Sequence, residues 1–186
     1  DEIERTLRDV ASSPGGGGTR PASRDALHAA VEGVDEGFFL ARSSVRQFDD
    51  RPVDAAIVES AVRIAQKSPA VCNRQFSRVY IISDRARVGD ALRIQGGARG
   101  FAESVPSVAV ITSTVRTFWA AGERTQAWTD GGMFAMSFLL GLHAHGLGAV
   151  PLNWSKTAAT DREFHSSFDI PDDEVIVMLV AFGHVP

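Results

Sequence analysis

Apolar side chains recur at two different periods along this chain, and together they predict a mixture of helices and strands. Residues 55–65 place apolar side chains at helical spacing, and Asp54 stands where it can cap the first turn. Ser23 can cap another helix that runs to residue 31, and residues 85–94 predict a third. Apolar, β-branched runs predict strands at residues 78–83, 107–113 and 174–182. The pattern therefore predicts an α+β domain built on a central sheet.

The longest predicted helix, at residues 129–145, is apolar on nearly every side. Gly146 and Gly148 follow it and predict its end. A domain of this size can cover one or two faces of such a helix but hardly all of them. Two explanations stay open: the sheet of the same chain encloses the helix, or the helix forms the seam of a dimer.

The first 37 residues differ in composition from the rest of the chain. Pro14 and four following glycines predict a flexible linker, because such a run fits neither a helix nor a strand interior. A phosphate-binding loop is the weaker explanation, since the Lys-Ser/Thr pair of a P-loop does not follow. Residues 1–10 can form a short helix. The sequence thus divides into an N-terminal helical and linker segment, 1–37, and a folded domain, 38–186.

Composition narrows the class of protein. The chain has 186 residues, enough for one domain, and 44% of them are apolar. A formal net charge of −4 with scattered Lys and Arg argues against a nucleic-acid binder and against a polybasic membrane site. The longest apolar stretch, 133–142, is about half of a membrane span. With a single cysteine and no visible signal peptide, the chain is expected to be cytoplasmic.

Two short segments carry side chains suited to binding an anion or a ring edge. Arg42, Ser43, Ser44 and Arg46 offer two guanidiniums and two hydroxyls, which match a phosphate; the alternative is the solvated edge of a helix. The segment 68–75 follows the capped helix and carries the amides of Asn73 and Gln75. Those amides can meet a ring that presents carbonyl and N–H groups, or they can satisfy the backbone of their own turn.

Two further segments place backbone groups where a ligand could approach. Gln95 precedes two glycines that allow close approach, although a mobile surface loop explains them equally well. The stretch 148–154 follows the apolar helix and contains Pro151, which has no N–H. Its next residues, Leu152, Asn153 and Trp154, each keep an N–H that can stabilise developing negative charge on a ligand.

Several polar residues are expected to have ordinary structural roles. His143 and His145 stand two positions apart on a helix, so that they lie on different faces and do not form a metal-binding pair. No metal site is predicted. Asp130 and Glu123 are expected to be helix caps or surface charges rather than catalytic acids.

Five motifs occur in order over residues 38–186: RSSVRQF, SPAVCNRQ, QGGARGF, DGGMFAMSFLLGLHAHGLGAVPLNW and VIVMLVAFGHVP. In this combination the chain resembles the FMN-dependent nitroreductase family, in particular a branch with CNRQ, QGG.RGF and DGGMFA. The resemblance implies an α+β fold with a central mixed or antiparallel sheet, flanking helices and a long buried central helix. It also implies an intertwined homodimer with two FMN sites at the subunit interface.

The resemblance also implies which residues hold the flavin. Arg42, Ser44 and Arg46 match the segment that in the family binds the phosphate, the ribityl chain and the pyrimidine edge of FMN. Ser43 lies between them. A loop that reaches the flavin of the partner subunit is matched by Pro69, Ala70 and Asn73, with Gln75 beside it. An amide near the pyrimidine end is matched by Gln95. The stretch that lines the ring and donates an N–H to N5 is matched by Pro151, Leu152, Asn153 and Trp154.

Three features of the sequence depart from the family pattern. Ala70 stands where the family commonly has Ser, and Phe76-Ser77 stands in place of Pro-Trp. The family also continues past its last strand with a Lys or Arg that closes on the phosphate, whereas this sequence ends at Pro186. Either that segment lies outside this sequence, or FMN binds weakly.

Two classes of function follow from the resemblance. In the first, FMN takes hydride from NAD(P)H and reduces a nitro, quinone or related organic acceptor, and no catalytic acid or base is expected because the flavin carries the chemistry. In the second, the protein is a flavin-binding or flavin-free relative that acts as a binding or regulatory module.

Overall fold

The computed structural model of the chain describes residues 23–186. Two compact units are present, one that ends at Glu36 and one that spans Gly37–Pro186. The described part of the first unit holds helix α1 (Arg24–Val31), whose first turn is capped by Ser23 as predicted. The predicted helix at residues 1–10 and the glycine run lie outside the described residues.

The second unit is built on one four-stranded antiparallel sheet with the order β1-β2-β4-β3. Its strands are β1 (Ser77–Ile82), β2 (Ser107–Thr114), β3 (Gly148–Asn153) and β4 (Glu174–Gly183). Three of them lie within a residue or two of the predicted runs. The fourth, β3, follows the long helix and was not predicted as a strand, because Pro151 inside it argues against a ladder.

Helices cover both faces of the sheet, as the α+β prediction requires. Packed on one face are α3 (Ala55–Ala65) and α5 (Gln126–Ala144), around a core that includes Phe138 and Phe182. The opposite face packs against α4 (Arg85–Gln95) and α6 (Ala158–Phe168). A short helix, α2 (Glu36–Ala41), leads into this unit. The outcome is a three-layer arrangement with a separate apolar cluster on each side of the sheet.

The central helix α5 begins at Gln126, three residues before its predicted start, and ends at Ala144. Gly146 follows it at φ +73°, in the left-handed region that favours glycine. Gly141 lets the backbone of α3 approach closely, since a Cβ there would stand 2.8 Å from Cα of Ala61. Phe138 and Leu142 are fully buried on this side.

One side of α5 has no covering layer among residues 23–186. Trp128, Met133 and Met136 are 50%, 38% and 42% exposed, and they follow one another along the helix. The sheet therefore encloses only part of the apolar helix, and an apolar stripe is left open to solvent. Within residues 23–186, no helix is both long and apolar enough to cross a bilayer.

Candidate flavin site

The first candidate segment runs beside the edge strand β3. Ser44 forms a parallel bridge with Ala149, and the Val45 N–H donates to the Ala149 carbonyl at 3.1 Å. Gly148 permits this approach, because a Cβ on it would stand 2.8 Å from Cγ1 of Val45. Helix α2 has already ended at Ala41, so the segment is extended rather than a helix edge. The structure thus brings together the first and fourth candidate segments.

Arg42 and Arg46 stand on this segment with no partner in the part of the chain that the structure describes. Neither guanidinium makes a hydrogen bond or ion pair with any residue in the described range. Arg42 and Ser43 line a cavity of about 250 Å³. Its other walls come from the end of α5, the start of β3 and the residues after β4, and they include His143, Gly148 and Val185. The guanidinium of Arg42 at this cavity, with that of Arg46 four residues further along the segment, suits an anion.

Strand β3 lies at an edge of the sheet and pairs with β4 on one side only. Every second residue of β3 points its backbone N–H and C=O groups away from β4. Ala149 is one of these residues, because its carbonyl accepts from the Val45 N–H. Pro151 and Asn153 are the next two. Proline costs nothing here, since an N–H at this position would have no ladder partner. The first available edge donor beyond Ala149 is therefore the N–H of Asn153.

The side chains of β3 alternate in the same way. Val150 and Leu152 pack into the core beneath α4 and α6, whereas Ala149 belongs to the cluster beneath α5. Pro151 and Asn153 lie on the α5 side, where both are exposed. Their exposed surface is therefore on the same side of the sheet as the open stripe of α5.

Gln95 ties the third candidate segment to β3. Its side chain is 1% exposed, and its amide nitrogen donates to the Asn153 carbonyl at 2.9 Å. Its amide oxygen accepts from the Gly97 N–H at 2.6 Å. Both ends of the amide are thus engaged within the protein, so the residue holds the end of β3 in place.

Trp154 turns inward at the end of the same strand. Its indole N–H donates to Asp161 at 2.7 Å, and its ring packs edge-on against Phe164 with centroids 4.8 Å apart. Leu152 is likewise buried. Four residues of this stretch were predicted to line the ligand. The side chains of Pro151 and Asn153 are exposed, whereas those of Leu152 and Trp154 pack into the core.

One cation at this site was missed by sequence reasoning. The ammonium of Lys156 lies 3.9 Å from the point where a Cβ on Gly96 would stand. Like Arg42 and Arg46, it has no hydrogen-bonding or ionic partner among residues 23–186. The sequence signal that could have identified Lys156 is its position two residues after Trp154.

The second candidate segment forms a backbone turn of unusual geometry. Cys72, Asn73 and Gln75 have φ values of 50°, 53° and 51°, in the left-handed region that non-glycine residues rarely adopt. The Gln75 amide donates to the Asn73 side-chain oxygen at 2.8 Å. Pro69 is exposed and Ala70 half-buried. Such strain persists only where neighbouring structure holds the turn.

Asp130 on α5 supplies one of these restraints. Its carboxylate accepts from the Val71 N–H at 2.7 Å and also from the Gln126 side chain, and the residue is 2% exposed. The expectation that Asp130 is a surface charge or cap was wrong. A carboxylate this buried needs donors, and the turn provides one.

An ion pair supplies the second restraint. Arg74 contacts Glu123 at 3.0 Å and donates to the Thr117 carbonyl at 2.9 Å, and both charged side chains are about four-fifths buried. The hydrogen bond from Arg74 holds the pKa of Glu123 below its usual value, and the hydrogen bond to Glu123 raises the pKa of Arg74. Glu123 is therefore a structural partner of the turn and not a free surface charge.

The turn lies away from the other three segments within one chain. It leads into β1, whereas Ser44 and Asn153 lie at β3, and these strands form opposite edges of the sheet. Two strands separate them, a distance of about 14 Å at the usual spacing. The chain by itself therefore brings together Arg42–Arg46, Gln95 and β3, and leaves residues 69–75 apart. In the described range there is no group of three or more His, Cys, Asp or Glu placed to hold a metal.

Comparisons with known proteins identify the family and the fold of this chain. The model of the Nitroreductase family matches residues 40–96 and 86–184. A comparison with curated proteins gave no match.

Solved structures share the fold at low sequence identity. A proposed NADH oxidase from Clostridium acetobutylicum superposes with a TM-score of 0.71 at 17% identity, over 80% of this chain and 87% of that one. An FMN-dependent nitroreductase from Clostridium difficile gives 0.70 at 16%, over 80% and 86%. A nitroreductase family protein from Clostridium novyi gives 0.67 at 15%, over 80% and 83%. At such identities the likeness shows the fold, whereas the family match covers most of the sequence. The chain belongs to the Nitroreductase family.

Proposed function

We propose that this protein is a homodimeric, FMN-dependent oxidoreductase that uses NAD(P)H to reduce a nitro, quinone or related organic acceptor. Family membership and the shared fold support flavin-dependent oxidoreduction in general. When bound, FMN would take a hydride from the nicotinamide and pass two electrons, with a proton, to the acceptor. One observation carries the proposal. The guanidiniums of Arg42 and Arg46, which have no partner among the described residues, stand on a segment that lies beside the edge strand β3.

At the phosphate end, Arg42, Arg46, Ser43 and Ser44 would hold the anion. A phosphate removed from water needs charged donors, and each hydrogen bond to a charged group contributes about 1.5–3 kcal/mol. Arg42 and Arg46 are available because neither has a partner in the described part of the chain. The bridge between Ser44 and Ala149 places this segment beside β3, so the rest of the cofactor would lie along the strand edge.

At the ring end, Asn153 would donate its backbone N–H to the flavin. A fixed N–H near N5 and O4 stabilises the electron density that grows there during reduction, in the manner of an oxyanion hole. The rigidity of this donor comes from Gln95, which fixes the carbonyl of the same residue. Pro151 leaves the ring free to approach, because it presents no competing donor.

Lys156 extends the ring end with a positive charge. Its ammonium lies beside Gly96, which follows Gln95 directly. A cation near a flavin ring favours the form that carries more negative charge. We therefore include Lys156 among the binding residues.

The partner subunit would complete the site. Pro69, Ala70, Asn73 and Gln75 are too far from β3 to join it within one chain, but in a dimer the turn of one subunit can meet the strand edge of the other. The open stripe of α5 supplies an apolar surface for this association, and it lies on the same side of the sheet as Pro151 and Asn153. Association along α5 would cover this stripe and enclose the flavin between subunits.

No side chain of the site is needed as an acid or base. The residues orient the flavin and exclude water, and the reaction rate depends on how closely donor and acceptor stack on the ring. The same face can bind the nicotinamide first and the acceptor second.

The test is retention of flavin followed by turnover. Purified protein is titrated with FMN and with FAD, and oxidation of NADH and of NADPH is then followed with menadione as acceptor. FMN should bind much more tightly than FAD, since the sequence has no GxGxxG motif for a dinucleotide. Equal affinity for the two flavins would contradict the phosphate site. Protein that binds no flavin and oxidises neither nicotinamide would be a binding or regulatory module instead.

A further inference from the structure

The chain leaves β3 at Trp154, and helix α6 holds this residue by two contacts. The indole N–H donates to Oδ1 of Asp161 at 2.7 Å, and the ring packs edge-on against Phe164 with centroids 4.8 Å apart. Trp154 is half-buried against the core cluster on this side of the sheet. A side chain so large, bonded at its polar tip and packed along its ring, anchors the backbone from which it extends.

Helix α6 is itself held firmly against the sheet and α4. Thr157 caps its first turn. Phe164 and Phe168 are 0% and 8% exposed, and their rings stack with centroids 4.4 Å apart. Arg87 of α4 places its guanidinium over the Phe168 ring, 5.3 Å from the centroid. Asp161, three residues before Phe164, therefore stands on a well-anchored element.

His165 faces the other oxygen of the Asp161 carboxylate. Nδ1 of its imidazole lies 3.2 Å from the Ile170 carbonyl, and since a carbonyl only accepts, Nδ1 carries the hydrogen. Nε2 is buried, has no hydrogen-bond partner among residues 23–186, and lies 3.8 Å from Oδ2 of Asp161. The two groups form an ion pair whenever the imidazole is protonated. The carboxylate therefore lies between the indole and the imidazole.

Two restraints thus act on the end of β3. Gln95 of α4 holds the Asn153 carbonyl, and Asp161 of α6 holds the side chain of the next residue. One hydrogen bond alone leaves the strand end free to rotate about it, whereas attachments to two different helices fix its orientation. The direction of the Asn153 N–H therefore depends on Asp161 as well as on Gln95.

We propose that Asp161 is a positioning residue of the flavin site, which acts through the indole of Trp154 to aim the Asn153 N–H at the ring. This inference rests on the proposed function. A donor near N5 and O4 stabilises reduced FMN more than oxidised FMN, and this difference depends on placement of the donor to within about 0.5 Å. Loss of the anchor should therefore weaken the binding of reduced FMN selectively.

The experiment uses the FMN-loaded protein and the variants Asp161→Ala, Asp161→Asn and Trp154→Phe, together with the double variant Asp161→Ala/Trp154→Phe. Two quantities are measured for each: the dissociation constant of oxidised FMN, and the two-electron midpoint potential of bound FMN by equilibration with a reference dye. Glu163→Ala is the matched control. It removes from the same helix a carboxylate whose side chain is 51% exposed and which makes only a 3.8 Å contact with Arg93.

Asp161→Ala should lower the affinity for reduced FMN relative to oxidised FMN by about threefold to tenfold, the contribution of one hydrogen bond. A tenfold change makes the potential of a two-electron couple about 30 mV more negative. Trp154→Phe should give a similar shift, since it keeps a ring for Phe164 and removes the N–H. In that background Asp161→Ala should add no further negative shift. Asp161→Asn, which keeps an acceptor for the indole, should recover most of the loss, and Glu163→Ala should match the wild type.

The sign of the shift separates this role from simple electrostatics. Removal of a nearby negative charge favours the more negative, reduced flavin and would make the potential less negative. A potential that is unchanged or less negative in Asp161→Ala would therefore overturn the inference, as would a full additional shift in the double variant. If Asp161→Ala does not fold, Trp154→Phe decides, and a potential equal to that of the wild type would overturn the inference. Wild-type protein that binds no FMN would instead refute the proposed function, and this inference with it.

Discussion

The side-chain amide of Gln95 donates to the backbone carbonyl of Asn153 at 2.9 Å, which links the C-terminus of α4 to the outer edge of β3. The contact is buried, and the same amide also accepts from the Gly97 N–H. One side chain therefore sets the position of both the glycine loop and the strand end.

Replacement of Gln95 by Leu should destabilise the protein, because it leaves the Asn153 carbonyl and the Gly97 N–H without their partner. Loss of a buried hydrogen-bond partner costs about 1–3 kcal/mol. Urea unfolding should show this loss for Gln95→Leu, and FMN affinity should fall with it. Gln66→Leu, at an exposed glutamine, is the control and should unfold near the wild-type midpoint. Identical midpoints for the two variants would show that the Gln95 contact is dispensable.

Arg42→Ala and Arg46→Ala should each weaken FMN binding by about tenfold to a hundredfold, since each removes charged hydrogen bonds to the ligand. Arg63 on α3 is a suitable control because its side chain is 66% exposed and makes only a long contact with Glu59. Quenching of FMN fluorescence compares the variants directly. If all three bind FMN alike, the anion site lies elsewhere.

Met136→Glu should convert the dimer to a monomer, because it places a charge in the open apolar stripe of α5. Light scattering at micromolar concentration should give the mass of two chains for the wild type and of one for the variant. FMN affinity should decline in parallel, since residues 69–75 of the partner are lost. Ala86→Glu, on the exposed side of α4 across the sheet, should remain dimeric. A Met136→Glu dimer with normal FMN affinity would exclude α5 as the interface.

The phenol of Tyr80 should ionise at a higher pH than that of an ordinary tyrosine. Its hydroxyl donates to Glu174 at 2.9 Å, and burial together with this carboxylate raises the pKa of Tyr80 to about 12. The fold favours the protonated phenol, so its stabilising contribution is complete below the unfolded pKa of about 10 and is lost as pH rises through about 12. Because the chain has a single tyrosine, the absorbance of tyrosinate reports this group alone. A midpoint near 10 in the folded protein would contradict the Tyr80–Glu174 contact.

Local patterns predicted most of the fold. The capped helix after Asp54, the strands near residues 78–83, 107–113 and 174–182, and the long apolar helix all appear within a few residues of their predicted ends. These elements depend on periodicity and capping, which are properties of neighbouring residues. Strand β3 escaped prediction because its proline is acceptable only at an open edge, and edge position is set by the rest of the sheet.

The candidate site was less accessible to such reasoning. The role of Asp130 depends on Val71, 59 positions away, and that of Glu123 depends on Arg74, 49 positions away. Nothing local distinguishes a carboxylate that holds a distant turn from one at the surface. The separation of residues 69–75 from β3 likewise follows from strand order, which the sequence pattern did not specify.

Pro151 has a second consequence, for solubility. An edge strand with free N–H and C=O groups can recruit a strand from another molecule and begin an aggregate. Proline at the outward-facing position of β3 removes one donor from that ladder, and the Gln95 amide occupies the Asn153 carbonyl. An incoming strand would therefore lack one donor, at Pro151, and one acceptor, at Asn153, of the ladder it needs. The same features that leave room for a planar ligand at this edge also discourage intermolecular β-sheet growth there.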